Sequence, residues 1–161
     1  IRKFTGLDAK IKWPNDVIVG NKKICGILTE MTAQTDMVDF VVIGIGINVL
    51  QESFPEEIAY KATSLKIETK SEPDLSELMH EIIATLDKTI LSYLFGISQD
   101  DLKLYKSMCA TIGREVSLVR NGEKLTGKAI DITADGELVV CLENGKKIAV
   151  NSGEVTVQGI Y

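Results

Sequence analysis

From Ile43 to Val49 the chain reads Ile, Gly, Ile, Gly, Ile, Asn, Val, and this alternation constrains the fold more than any other stretch. Successive side chains of a strand point to opposite faces, so the odd positions form an apolar face. The even positions then offer bare backbone with one amide at the end. Glycine weakens a strand, and two on one face suit close approach by a ligand or by another backbone. A pair of bulges or tight sheet packing would use them equally well. The spacing is not GxGxxG, since Val49 follows Asn48 and no helical pattern comes next, so a dinucleotide-binding loop is excluded. The preceding residues agree with a sheet. Ala9-Lys10-Ile11-Lys12-Trp13 alternates, Pro14-Asn15-Asp16 reads as a turn, and Val17-Ile18-Val19 is a short β-branched run. Gly20-Asn21-Lys22 is a second turn, and residues 23–29 lead through a polar stretch at 33–36 to residues 38–49. Connections this short pair strands antiparallel, because a parallel crossover needs about a dozen residues or more.

Residues 51–73 are polar, contain Pro55 and Pro73, and read as an irregular excursion over the surface. Pro73-Asp74-Leu75-Ser76 opens a helix that Gly96 ends. Leu75, Leu78, Met79, Ile82, Ile83, Leu86 and Ile90 form its apolar stripe, expected to be core. Ser98 with Asp101 has capping-box spacing for a second helix running to about residue 108. Beyond residue 111 the pattern changes to β-rich runs punctuated by Asn121-Gly122, Asp135-Gly136 and Asn144-Gly145, dipeptides that suit type I′ turns. Five short strands in so small a span predict a small closed barrel. The expected fold is therefore α+β: a mixed or antiparallel sheet with flanking helices over 1–109, then a small β-barrel over 110–161.

Charge and composition exclude several functions. The 18 Lys and Arg against 23 Asp and Glu leave a formal charge of −5, which argues against a general nucleic-acid binder. No apolar run approaches the roughly 20 residues that span a bilayer, so no membrane partner is expected. Cys25, Cys109 and Cys141 form neither a CxxC nor a Cys/His cluster; three free thiols suit a reducing, cytoplasmic setting. Cys25 reads as a small buried hydrophobe rather than a nucleophile. His80 reads as exposed, and as the only histidine it leaves no triad. Residues 1–50 hold six basic and five acidic residues, the least acidic part, with Lys10, Lys12, Lys22 and Lys23 close together. A local cationic cluster inside an acidic chain suits a small anionic ligand.

Three segments carry candidate chemistry. In Lys12-Trp13-Pro14-Asn15-Asp16 the proline stiffens a turn that presents an ammonium, an amide and a carboxylate together; an ordinary exposed turn would read the same. The glycine strand is the second. The third is Asn21-Lys22-Lys23-Ile24-Cys25-Gly26-Ile27-Leu28, where a lysine at the mouth of a strand lies one hairpin from Asp16, while Lys22 reads as a solvated hairpin residue.

KWPND at 12–16, KxxGIL at 23–28 and GxGIN at 44–48, in this order, resemble the biotin protein ligases, as does Ala62-Thr63-Ser64-Leu65. The resemblance implies ATP- and magnesium-dependent formation of biotinyl-5′-AMP, followed by transfer of biotin to a lysine of a biotin carboxyl carrier protein. It implies a class II synthetase-like sheet, here partial, and a C-terminal SH3-like barrel. Lys23 and Lys12 are then the catalytic candidates. Lys23, Trp13, Asn15, Gly26, Gly44, Gly46 and Asn48 would contact biotinyl-AMP, with Asn48 at the adenine edge, and Asp16 would help to hold Mg2+. Biotin, ATP, the carrier protein and a second copy of the chain are the expected partners. The family's Gly- and Arg-rich loop precedes KWPND and is not in this sequence, so the chain is expected to correspond to a C-terminal part of such a ligase with impaired activity. A lipoate-type acyl-adenylating ligase and a non-catalytic, self-associating binding module are the alternatives.

Overall fold

Two tight turns fold the first fifty residues onto themselves. The computed structural model describes residues 1–34, 37–93, 96, 98–120, 122–151 and 155–161. After a short helix, α1 (Arg2–Thr5), come β1 (Lys10–Lys12), β2 (Asp16–Val19), β3 (Lys22–Gln34) and β4 (Met37–Ile47), an antiparallel sheet in that order. Gly20 (φ 54°) and Asn21 (φ 71°) are both left-handed, as the type I′ hairpin joining β2 to β3 requires. Residues 35 and 36 of the expected polar stretch lie outside the described residues.

The segment after β4 corrects the expected surface excursion. It forms α2 (Glu56–Ala59) and α3 (Leu65–Thr69), and Thr63, Ser64 and Leu65 are buried. Ser64 caps α3 by accepting from the Ile67 N–H (3.1 Å), and its hydroxyl donates to the Gln51 carbonyl. A polar sequence thus hides a core contact, because capping absorbs the buried hydroxyl.

Helix α4 (Leu75–Tyr93) starts where expected, with Asp74 Oδ1 accepting from the N–H groups of Ser76 and Glu77 (2.8 and 3.0 Å). Its apolar stripe is a second correction. Leu78 is buried in one cluster with Val19, Ile24 and Leu65, and Ile82 packs against that cluster, as Ile27, Ile45 and Ile47 of the sheet do, but Leu75, Met79, Ile83 and Ile90 are exposed. A stripe spanning seven positions is wider than the sheet face that receives it. His80 is exposed, as expected. Gly96 has φ 94°, and the Ser98–Asp101 capping box opens α5 (Gln99–Met108).

β5 (Glu115–Arg120), β6 (Glu123–Ile132), β7 (Leu138–Leu142), β8 (Lys147–Val150) and β9 (Val155–Val157) form an antiparallel sheet in the order β8-β7-β6-β5-β9. Its inward residues, among them Val116, Leu118, Ala129, Leu138, Val140, Ile148 and Val157, share one core. No ladder joins β8 to β9 among the described residues, so the five strands wrap this core without hydrogen-bonded closure there. Gly136 and Gly145 are left-handed but Asp135 and Asn144 are not. These turns are therefore not type I′: the N–H of Gly145 bonds the Leu142 carbonyl (2.9 Å), a turn completed by one left-handed glycine. Gly122 is left-handed too, while Asn121 lies outside the described residues.

The two sheets meet at the KWPND turn. The Ala110 N–H bonds the Ile11 carbonyl (2.8 Å), and Ile11 bridges Cys109 in parallel fashion. Trp13 and Ile18 of the first sheet belong to the core of the second. Among the described residues no helix is long and apolar enough to cross a membrane.

Candidate functional site

Register lines up the site residues. Lys12 pairs with Asp16 across β1–β2, Asp16 with Gly26 across β2–β3, and Gly26 with Gly46 across β3–β4. Directly opposed residues share a face, so one row across four strands reads ammonium, carboxylate, glycine, glycine. Gly44 lies on the same face, opposite Leu28. With no side chains at Gly26, Gly44 and Gly46, the row opens as a groove of about 470 Å³ lined also by Asn15, Asp16 and Lys23.

Lys23 reaches this face because the strand is irregular. In a regular strand Lys23 and Gly26 would point to opposite faces, since they lie three positions apart. Asp16 and Val17 pair with Gly26 and Cys25, but Ile18 pairs with Lys23, leaving Ile24 as the extra residue of a bulge. One added residue reverses the facing of everything beyond it. Ile24 and Cys25 are consequently buried together, and the Lys23 ammonium swings over Gly26. A Cβ on Gly26 would lie 2.9 Å from Lys23 Nζ, so glycine there makes room for the cation. The backbone of Lys23 is held from its other side: its N–H bonds the Lys61 carbonyl (2.7 Å) and its carbonyl accepts from Thr63 (2.9 Å). This is the physical role of the Ala62–Leu65 segment.

Asp16 is the hub of the charges. Its Oδ1 lies 2.6 Å from Lys23 Nζ, and its Oδ2 lies 3.8 Å from Lys12 Nζ and accepts the Tyr161 hydroxyl. Burial and the Asp16 carboxylate hold the Tyr161 phenol well above its usual range, so it stays protonated as a donor. Lys12 Nζ also sits 4.3 Å from the centre of the Tyr161 ring. Lys10 pairs instead with Asp8 (3.2 Å) and Lys22 donates to the Ala59 carbonyl (3.2 Å), so the lysine cluster divides. Cys25 lies under this region, and burial pushes its thiol up, away from a nucleophilic thiolate.

The structure brings Lys23, Asn15, Asp16, Gly26, Gly44 and Gly46 together and sets three expected residues apart. Lys12 faces a neighbouring cleft of about 530 Å³ between the two sheets. Trp13 is only 2% exposed and donates Nε1–H to the Gly136 carbonyl (2.9 Å), so it anchors the turn and does not line the groove. Asn48 lies just past β4, its amide donating to the Thr63 carbonyl (3.0 Å), which ties down the loop behind Lys23 instead of lining the groove. Asn15 is bound on both sides, its Nδ2 donating to the Ile27 carbonyl (2.7 Å) and its own carbonyl accepting from Ile27 (2.9 Å). Tyr161 was missed from sequence, since nothing local marks a residue 145 positions from its partner.

Asp16 does not suit a metal. Both its oxygens are engaged by cationic or phenolic donors, no other carboxylate lines the groove, and no group of three potential ligands occurs among the described residues. What the groove can do is receive a flat or extended ligand against bare backbone and place one ammonium on an anionic group.

Comparison with known proteins points the same way. Residues 1–48 match the family described as Biotin/lipoate A/B protein ligase, and residues 111–157 match the Biotin protein ligase C terminal domain. The Bifunctional ligase/repressor BirA of Bacillus spizizenii is 36% identical over 150 residues, covering 91% of this chain and 46% of that protein. The Biotin--[acetyl-CoA-carboxylase] ligase of Mycobacterium tuberculosis is 33% identical over 147 residues, covering 90% and 52%. The chain thus spans about half the length of these curated relatives. The apo structure of biotin protein ligase from Aquifex aeolicus superposes with a TM-score of 0.84 at 29% identity, covering 98% of this chain and 68% of that one. The same enzyme in complex with biotin and ATP gives 0.81 at 28% identity, covering 98% and 65%.

Proposed function

Since this chain belongs to the biotin protein ligase family, we propose that its glycine-floored groove is part of a site that makes and holds biotinyl-5′-AMP. In this reading the biotin carboxylate attacks the α-phosphorus of ATP, the bond to the β-phosphate breaks, and pyrophosphate leaves. A carrier-protein lysine then attacks the acyl carbon, and AMP leaves with the bonding pair. The single observation that carries the proposal is the Lys23 ammonium held over Gly26, facing the bare backbone of Gly44 and Gly46. A fixed cation there offsets the repulsion between a carboxylate nucleophile and a polyphosphate, and it stabilises charge growing at phosphorus. Lys12, in the adjoining cleft, adds to that field. Positioning and electrostatics carry the chemistry, in keeping with a buried, protonated Cys25 and an exposed His80.

We assign 1–109 to the catalytic unit and 110–161 to the barrel, with a biotin carboxyl carrier protein as acceptor and the cytoplasm as the setting. Magnesium belongs in this reading to the nucleotide rather than to Asp16. Binding is the more direct test of the groove, because it reads the Lys23 contact without the later transfer step.

The test is calorimetric titration of the full chain with a non-hydrolysable acylsulfamate analogue of biotinyl-AMP, and with its lipoyl counterpart. Losing a charged hydrogen bond weakens binding by about ten- to a hundredfold, so Lys23→Ala should lose that much while the biotinyl analogue outcompetes the lipoyl one. Binding indifferent to Lys23→Ala would refute the assignment, and preference for the lipoyl analogue would move it to the lipoate ligases.

A further inference from the structure

The Asp16 carboxylate faces two competing ammonium groups, and which oxygen serves which lysine decides where Lys23 sits. Oδ1 lies 2.6 Å from Lys23, whereas Oδ2 is 3.8 Å from Lys12, beyond direct hydrogen-bonding range. A carboxylate turned toward Lys12 would do so at the expense of its contact with Lys23. The Tyr161 hydroxyl prevents this by donating to Oδ2, which pins the carboxylate plane. The tyrosine ring also offers Lys12 its π face at 4.3 Å, drawing that ammonium to the cleft side.

Tyr161 is itself well placed for such a duty. It follows Ile160, which is fully buried in the core of the second sheet and whose N–H bonds the Val157 carbonyl (3.2 Å). The ring is therefore delivered by the C-terminal sheet to a carboxylate of the first. Gly26 supplies the complementary vacancy on the far side of Lys23.

We propose that Tyr161 is a positioning residue for the groove, fixing Asp16 so that the Lys23 ammonium is presented to an anionic linkage. The proposal rests on the biotinyl-adenylate reading for the identity of that linkage, and on the local geometry alone for the role of Tyr161. A pre-oriented lysine has already lost its rotamer freedom before the ligand arrives, which strengthens binding only where the ligand meets that charge.

Two biotinyl-adenosine analogues separate the possibilities, one with an anionic acylsulfamate linkage and one with a neutral linker, each titrated into the full chain. Tyr161→Phe keeps the ring and removes the donor. It should weaken the anionic analogue by about tenfold, the worth of one charge-assisted hydrogen bond, and leave the neutral one within about twofold. In an Asp16→Ala background the same substitution should have no further effect. Equal loss with both analogues, or no loss with either, overturns the proposal. A chain that binds neither analogue refutes the biotinyl-adenylate reading, yet Tyr161 is still tested in the free protein. There, the Lys23 ammonium resonance in 15N-lysine spectra should shift in Tyr161→Phe, and an unchanged resonance overturns the proposal by itself.

Discussion

The two sheets use their apolar residues in opposite ways. In the second sheet the inward positions of all five strands are buried in one core, which includes Leu138 and Val140 at 0% exposure. In the first, β3 and β4 leave Leu28, Met31, Phe40, Val41, Val42 and Ile43 exposed, Phe40 at 57%. The contrast separates support from work. The second sheet is held by burial: its core takes in Trp13 of the KWPND turn, and Tyr161 beside it reaches Asp16. The first buries one end around Ile24 and Leu65 but leaves β3 and β4 exposed farther along, beside the glycine groove.

The largest test of this division lies in side-chain truncation. Leu138→Ala opens a cavity in a closed core and should cost about 2–5 kcal/mol in urea unfolding. Phe40→Ala removes a larger side chain from an exposed face and should cost no more than about 0.5 kcal/mol. If the two costs were comparable, the β3–β4 face would be covered in solution, and the Phe40 effect would then vary with protein concentration.

Glycines sharpen the same comparison on a smaller scale. A Cβ on Gly127, in β6, would fall 2.4 Å from the Cys141 carbonyl oxygen on the neighbouring strand, so glycine there serves close backbone approach. On Gly44 the nearest atom is the Leu28 carbonyl oxygen at 3.7 Å, an ordinary contact, and the methyl would project into the groove. Gly127→Ala should therefore cost about 1–3 kcal/mol of stability, the usual range for overpacking. Gly44→Ala should melt as the parent does but bind the biotinyl-adenylate analogue more weakly. Thermal melts beside calorimetric titrations check both, and a Gly44→Ala chain that binds unimpaired would mean that bare backbone is not what the groove offers.

Much of this division was legible in the residues. Alternation at 43–49 and the short turns at 14–16 and 20–22 gave an antiparallel sheet with a glycine face, and Ser98 with Asp101 gave a helix start. These signals are local, and local backbone chemistry decides them. Three features were not legible. The bulge at Ile24 changes which face Lys23 occupies, yet no glycine or proline marks it. Tyr161 meets Asp16 only through tertiary packing. The α4 stripe is apolar all along its length, but only Leu78, with Ile82 partly covered, finds the sheet. Periodicity shows which residues share a face, and it does not say which faces meet or how much surface the partner supplies.

The smallest expected effect concerns how α5 is tied to the second sheet by charge. Lys106 Nζ lies 2.7 Å from Asp131 Oδ1 on β6. Hydrogen bonding from Lys106, and secondly from the Ile132 N–H, holds the Asp131 carboxyl below its ordinary value of 3.8. A depressed carboxyl stabilises the folded chain above its unfolded value, and that stability disappears as pH falls through the lower folded value. Asp131 is, however, 56% exposed, so screening limits the contribution to at most about 0.5 kcal/mol. Asp131→Asn should therefore be slightly less stable than the parent at pH 7, and the gap should close as urea melts are repeated at pH values falling progressively below 3.8 and narrow in high salt. A gap of several times that size, or one that persisted in acid, would mean that the α5–β6 junction depends on the shape of Asp131 rather than its charge. The second sheet would then owe part of its hold on α5 to the shape of a polar contact instead of to its charge.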